Sequence, residues 1–221
     1  MNLNEQFVIT VSRELGSGGH TIGKKLAERL GVRFCDKELI RALSKKFDLT
    51  PSTIERLKAE KKNWLSDFIQ RLAPAPAPGG FVEADSVYGK EFNPTVTTDD
   101  IFKAETEILR AMAEEASCVI AGRSGFFVLK DRPNKMDIFI TASKENRIAR
   151  TMRKQNFTRE MAEEVLAKVD KARENYVQRY AGVSRYDARN YNLTLNVDGL
   201  TEDQAVDIIL NYLDAAAGDV A

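Results

Sequence analysis

Residues Val8 to Gly31 read VITVSRELGSGGHTIGKKLAERLG: a β-branched run, three glycines within four positions, then Ile22, Leu26 and Leu30 at helical spacing. A strand, a glycine-rich turn and a helix start in that order aim unpaired backbone N–H groups at one point, where the helix dipole also favours negative charge. Gly16, Gly18 and Gly19 let the backbone curl around an anion, and Ser17, His20 and Thr21 add polar side chains at the same place. The predicted chemistry is phosphate binding; the competing reading of GSGG is an ordinary tight turn. His20 either donates to a phosphate when protonated or is a surface residue of a polar turn.

Phosphate loops of this kind usually carry a lysine just before a serine or threonine, the lysine reaching the transferred phosphate and the hydroxyl holding magnesium. No lysine stands inside this turn. The nearby cations are Arg13 at the strand end and Lys24 and Lys25 in the following helix, where Ile22 and Leu26 set the apolar face. Arg13 is the expected substitute, its alternative being an ion pair with Glu14 or another acid. Further along, Arg147, Arg150 and Arg153 recur at i, i+3 and i+6, and Arg173 follows Asp170 by three positions. Phosphoryl transfer asks mainly for positioning and positive charge, and a planar guanidinium can bind two phosphate oxygens at once. Arg123 follows an apolar run at a strand's C-terminal end, where ligands of open α/β sheets gather. Asp36, after a weaker strand, offers an acceptor contact, a water-mediated contact to magnesium, or a strand-end cap or salt bridge.

These residues need a scaffold. Short apolar runs at 7–12, 118–122, 136–141 and 192–197, with 32–36 as a weaker fifth, read as strands of a mostly parallel sheet. Helical patterns lie between them: Leu39, Ile40, Leu43 and Phe47; Ile101, Ile108, Leu109 and Met112; Ile208, Ile209, Tyr212 and Leu213. Ser52 to Glu55 and Thr201 to Gln204 fit capping boxes. A charged helix over 158–180 carries Met161, Val165, Val169, Ala172 and Tyr176 on one stripe. Residues 72–100, with alternating Ala and Pro and then Gly-Gly, break all periodicity and predict an extended excursion. Trp64, Phe68 and Leu72 share helical spacing and read as core.

The 221 residues carry 33 basic and 33 acidic side chains, so no global charge argues for nucleic acid or membrane partners. Cys35 and Cys118 lie in apolar runs and are expected as free thiols; with the lone His20 they fall short of a metal site. The N-terminal residues lack the pattern of a secretion signal, and no segment approaches the roughly 18 apolar residues of a membrane span. The expected location is cytoplasmic, and an oligomeric state is not readable.

On these motifs the chain resembles the cytidylate kinase-like branch of the nucleoside monophosphate kinases. SRELGSGGHTIGKKLAERLG lies over the typical Gly-Pro-Ser-Gly-Ala-Gly-Lys-Gly-Thr loop and its helix. In that register Arg13 stands at the first glycine, Gly19 at the lysine and His20 at a glycine, while Thr21 keeps the hydroxyl. RFCDKELI resembles the start of the monophosphate-binding region, without a clear counterpart of the serine and arginine of ordinary cytidylate kinases. CVIAGRSGFFVL resembles the strand and turn where a Gly-Arg pair holds the acceptor monophosphate. DIFITASKENRIARTMRK and VDKARENY resemble the arginine-studded helix and the lid, and NLTLNV to AVDIIL the closing strand and helix.

The resemblance implies a single-domain, three-layer α/β fold of the P-loop NTPase type over 1–221, with about five parallel strands flanked by helices. It implies a helical monophosphate-binding insert at 37–100 and a lid-like region at 144–190. The implied activity is ATP-dependent transfer of the γ-phosphoryl group to a nucleoside monophosphate, most simply CMP. Arg13, Arg150, Arg153 and Arg173 would be catalytic; Gly16, Ser17, Gly18, Gly19, His20 and Thr21 would bind phosphate; Asp36 and Arg123 would bind the acceptor. Mg2+ would be held through the nucleotide by Thr21. A nucleotide-binding regulator that has lost transfer, and a kinase for a different small acceptor, are the alternatives left open by Gly19 and by the altered DKELI segment.

Overall fold

The computed structural model describes residues 1–36, 97–122 and 124–218, with isolated positions 42, 45, 46 and 48. Arg123, the capping box at Ser52 and most of the 37–100 insert lie outside the described residues. The described chain runs β1 (Val8–Arg13), α1 (Gly19–Leu30), β2 (Arg33–Cys35), α2 (Thr98–Glu115), β3 (Cys118–Ala121), α3 (Gly125–Val128), β4 (Lys135–Thr141), α4 (Lys144–Gln155), α5 (Arg159–Ala181), a 3-10 turn (Ala188–Asn190), β5 (Leu193–Asn196) and α6 (Glu202–Gly218).

The strands form one parallel five-stranded sheet in the order β2-β3-β1-β4-β5. Side chains of a strand alternate between faces, and here the two faces make two cores. Val8, Cys118 and Ile120 point to one side and pack with Ile101, Ala104 and Leu109 of α2. Ile9, Val11, Val119, Ile138 and Ile140 point to the other and meet Ile22 and Leu26 of α1 and Ile209 and Leu213 of α6. Helices on both faces explain why the central strand β1 is buried along nearly its whole length, whereas the edge strand β5 alternates half-buried and exposed. Cys35 and Cys118 are buried on adjacent strands and form no disulfide.

Local chemistry sets the helix boundaries. Thr201 accepts from the Gln204 N–H at 3.2 Å while Gln204 accepts from the Thr201 N–H at 2.9 Å, the reciprocal cap that the sequence predicts. An equivalent cap of Thr97 with Asp100 starts α2 at Thr98, so residues 98–100 form a first helical turn rather than the end of an excursion. The charged helix also differs from its predicted stripe. Its buried line on α5 is Ala162, Val165, Leu166, Asp170 and Val177, turned by about one residue from the expected one. The reason is Asp170: this side chain faces inward to bind the loop after β1, and the helix turns to bring it there.

This strand order places the C-terminal end of β1 between those of β3 and β4, where connections diverge to opposite sides of the sheet and ligands of open α/β sheets bind. Ile138, fully buried at the middle of β4, should be costly to truncate. Ile138→Ala is expected to lower unfolding free energy by about 2–5 kcal/mol in urea titration. Ile208→Ala, on the exposed side of α6, should change it by less than about 0.5 kcal/mol.

Candidate active site

The loop from Glu14 to Gly18 leaves β1 and closes on itself before α1. The Ser17 hydroxyl, buried, donates to the Glu14 carbonyl at 2.9 Å and accepts weakly from the Gly19 N–H at 3.4 Å, so it braces the turn from inside. Gly18 caps α1 in the left-handed region at φ 85°, and no side chain caps the helix there. A Cβ at Gly18 would lie 2.9 Å from the guanidinium carbon of Arg150, which therefore lies directly against the turn. Arg150 is held from the other side by Glu202 at 2.5 Å, a bond that draws the Glu202 carboxyl below its ordinary range. Thr21 follows in the first turn of α1, partly exposed.

The position of the missing lysine has a steric explanation. A Cβ on Gly19 would sit 2.5 Å from the Cβ of Arg13 and 3.1 Å from its Cγ. The Arg13 side chain thus fills the space into which a lysine at 19 would start. It continues to Gly122, immediately after β3, where a Cβ would overlap its Nη1 and approach its Cζ to 3.1 Å. Two bare glycines line the path of one arginine from the phosphate loop to the end of the neighbouring strand. Of the other nearby cations, Lys25 binds Asp203 at 2.7 Å, and Lys24 lies beside Glu28 at 3.5 Å on the outer face of α1.

Glu14 does not take Arg13 as its partner. Its carboxylate accepts from the Thr141 hydroxyl and from Arg147 Nη1, the latter at 2.9 Å. Arg147 also donates to the Leu15 carbonyl at 2.8 Å and pairs with Asp170. Asp170 in turn accepts from the Leu15 N–H at 3.1 Å and stands 3.8 Å from Arg173 and 3.6 Å from Arg185. Arg173 and Arg185 both donate to the Arg13 carbonyl, at 3.3 and 2.6 Å. Through these bonds α4, α5 and the segment after α5 hold the β1 end of the loop.

His20 and Asp36 form a pair at 2.8 Å between the first turn of α1 and the end of β2, with the imidazole edge-on to Phe34. Among the described residues no group of three or more His, Cys, Asp or Glu side chains is arranged to hold a metal. Magnesium brought by a nucleotide needs only one or two protein oxygens and keeps several waters. The Thr21 hydroxyl and the Asp36 carboxylate are oxygens of that kind at this end of the sheet. A cavity of about 650 Å³ opens beside Glu14, Arg147 and Asp170, but Glu160, Glu163 and Glu164 on its α5 wall disfavour an anion there.

Of the residues predicted from sequence, Arg13, Gly16, Ser17, Gly18, Gly19, Arg150 and Arg173 meet at the end of β1, and His20 and Asp36 pair alongside. Arg153 is exposed on the last turn of α4 and is not among the groups that meet there. Sequence reasoning missed Arg185, which lies in the segment VSRYDARN and reaches a carbonyl 172 residues away. Its one local signal is an arginine set between Val183 and Tyr186 among turn residues. Tyr176 and Tyr180 join α5 to α2 through Glu105 and Asp99, while Tyr186 and Tyr191 pack on Phe139.

The chain has the fold of the P-loop small-molecule kinases. Structures sharing it include a shikimate kinase from Bacteroides thetaiotaomicron (14% identity, TM-score 0.52, covering 95% of this chain and 99% of that one). A sugar kinase from Janibacter sp. shares it at 16% identity and TM-score 0.52, over 97% and 98% of the two chains. The model of the cytidylate kinase-like family matches residues 8–199, and the chain belongs to that family. An uncharacterized protein from Eubacterium ventriosum is similar at 26% identity and TM-score 0.65, over 95% of this chain and 99% of that one. No curated protein is significantly similar to the chain. Among the described residues no helix is long and apolar enough to cross a membrane.

The conflict between Arg13 and a side chain at position 19 can be measured without any substrate. Gly19→Ala should destabilise the protein by about 1–3 kcal/mol in chemical unfolding, because the loop and Arg13 must both shift. Gly19→Lys should do worse, and Arg13→Gly combined with Gly19→Lys should recover stability relative to Gly19→Lys alone. Equal stability of the two lysine variants would remove Arg13 as the obstructing group.

Proposed function

We propose that the protein is an ATP-dependent kinase that transfers the γ-phosphoryl group to a nucleoside monophosphate, CMP in the simplest case, with magnesium carried in on the nucleotide. One observation carries the reading: the Arg13 side chain runs from the helix start that would receive donor phosphates to Gly122, beside position 123, where the family resemblance puts the acceptor phosphate. Charge accumulates on the oxygens between donor and acceptor during phosphoryl transfer, so a cation spanning the two stabilises that state more than either bound ground state. Gly16, Gly18 and Gly19 with the first turn of α1 would hold the donor phosphates, Arg150 would cover them, and Arg173 on α5 would add charge from the lid side. Asp36 and Arg123 would meet the acceptor.

A second reading concerns only the acceptor. The Asp36 carboxylate, paired with His20, suits an acceptor that presents a hydroxyl, because a carboxylate accepts from a hydroxyl and repels a phosphate. Expulsion of water on lid closure is common to both.

Coupled ADP release with ATP, magnesium, a panel of nucleoside monophosphates and a panel of hydroxyl-bearing sugars and acids tests these readings. The expected result is turnover with CMP above every other acceptor; turnover confined to the hydroxyl panel would replace the acceptor. ATP binding with no turnover on either panel would sink the kinase and leave a nucleotide-binding regulator. Arg13→Ala should lower kcat by about 10²–10³-fold with little change in the KM for ATP, measured in the same assay.

A further inference from the structure

We infer that Arg185 is a positioning residue for Arg13, setting the direction in which that side chain leaves the strand. This rests on the kinase reading above, in which Arg13 is the cation at the transferred phosphate. Arg185 is only 4% exposed, an unusual burial for a guanidinium. Its shortest bond is to a main-chain group: Nη2 donates to the Arg13 carbonyl at 2.6 Å. Nη1 stands 3.6 Å from Asp170 and has no hydrogen-bond partner among the described residues. The carboxylate therefore supplies charge balance, and the directed interaction of this buried cation is the one to Arg13.

That carbonyl belongs to the peptide joining Arg13 to Glu14. The N–H of the same peptide donates to the Ile140 carbonyl of β4 at 3.1 Å. The peptide is thus held on one side by the sheet and on the other by Arg185, with Arg173 adding a longer bond at 3.3 Å. Fixing this plane fixes the last torsion of β1 and with it the Cα–Cβ direction of Arg13. A small rotation there would carry the far end of the side chain away from Gly122.

Arg185 is itself held more firmly than a charge-neutralising residue needs. Its N–H donates to Glu174 at 3.0 Å and its carbonyl accepts from the Tyr191 hydroxyl at 2.8 Å. Burial pushes the Tyr191 hydroxyl up to about 12, so it stays a donor at neutral pH. The guanidinium lies 5.7 Å from the centre of the Phe139 ring and 5.3 Å from that of Tyr186. Position and orientation of the donor are both specified, as a positioning role requires.

The test uses binding, so that it does not depend on the acceptor. ADP and the complex of ADP with beryllium trifluoride, which adds a γ-phosphate mimic, are titrated into the wild type, Arg185→Met, Arg185→Lys and Arg13→Ala proteins by calorimetry. Misplacing a charge by about 1 Å is expected to cut the preference for the trifluoride complex over ADP roughly 10- to 100-fold in Arg185→Met. Arg185→Lys, which retains one donor, should restore part of it. In an Arg13→Ala background Arg185→Met should cause no further loss. An undiminished preference in Arg185→Met, or an equal loss with Arg13 already removed, would overturn the inference while leaving the kinase reading intact. If Arg185→Met does not fold, Arg185→Lys makes the same comparison with and without Arg13. A wild-type protein that binds neither ligand would defeat the kinase reading, and this inference with it.

Discussion

A side chain at position 19 and the side chain of Arg13 exclude one another, because the Cβ of one would lie 2.5 Å from the Cβ of the other. From this constraint the rest of the site follows. With an arginine at the end of β1, the first position of α1 must be bare, and the lysine usual there has no room. Position 122 must be bare as well, since the guanidinium ends against it. The strand order matters for the same reason: only with β3 beside β1 does a side chain from the end of one reach the end of the other. The bare position 19 and the placement of Arg13 therefore go together.

The loop carries an acid of its own in Glu14, and α5 buries another in Asp170. Carboxylates next to a phosphate site would oppose anion binding if they stood alone. Here Arg147 lies between them, and Arg173 and Arg185 approach Asp170 from the side of the Arg13 carbonyl. Ion pairs taken out of water recover their desolvation only when further hydrogen bonds satisfy them, and these are tied to the Leu15 N–H, the Leu15 carbonyl and the Arg13 carbonyl. The arrangement binds the helices that would close over a nucleotide to the backbone that would hold it.

Much of the scaffold was legible because its causes are local. The apolar runs of β1, β3 and β4 and the Thr201–Gln204 cap act through neighbours in sequence, and glycines at 16, 18 and 19 announce a tight turn before a helix. The buried line of α5 was misplaced because periodicity counts apolar residues, whereas the inward-facing residue there is the acid Asp170. The i, i+3, i+6 spacing of Arg147, Arg150 and Arg153 gives a stripe that rotates around the helix, but it does not show that Arg153 is where the stripe reaches solvent. Arg147, a member of that stripe, could be paired with Glu14 and Asp170 only once β1, α4 and α5 were placed together. Arg185 was invisible for the same reason: its meaning lies in a carbonyl at the far end of the chain.

The central claim is that Arg13 supplies the charge that a loop lysine supplies elsewhere. A crystal structure with a bisubstrate analogue, in which a phosphate chain links adenosine to the acceptor nucleoside, tests it most directly. The account predicts the Arg13 guanidinium within about 3 Å of a bridging-phosphate oxygen, between the loop and Gly122. An Arg13 directed away from the phosphates, with Lys24 or another cation in contact with that oxygen, would contradict it.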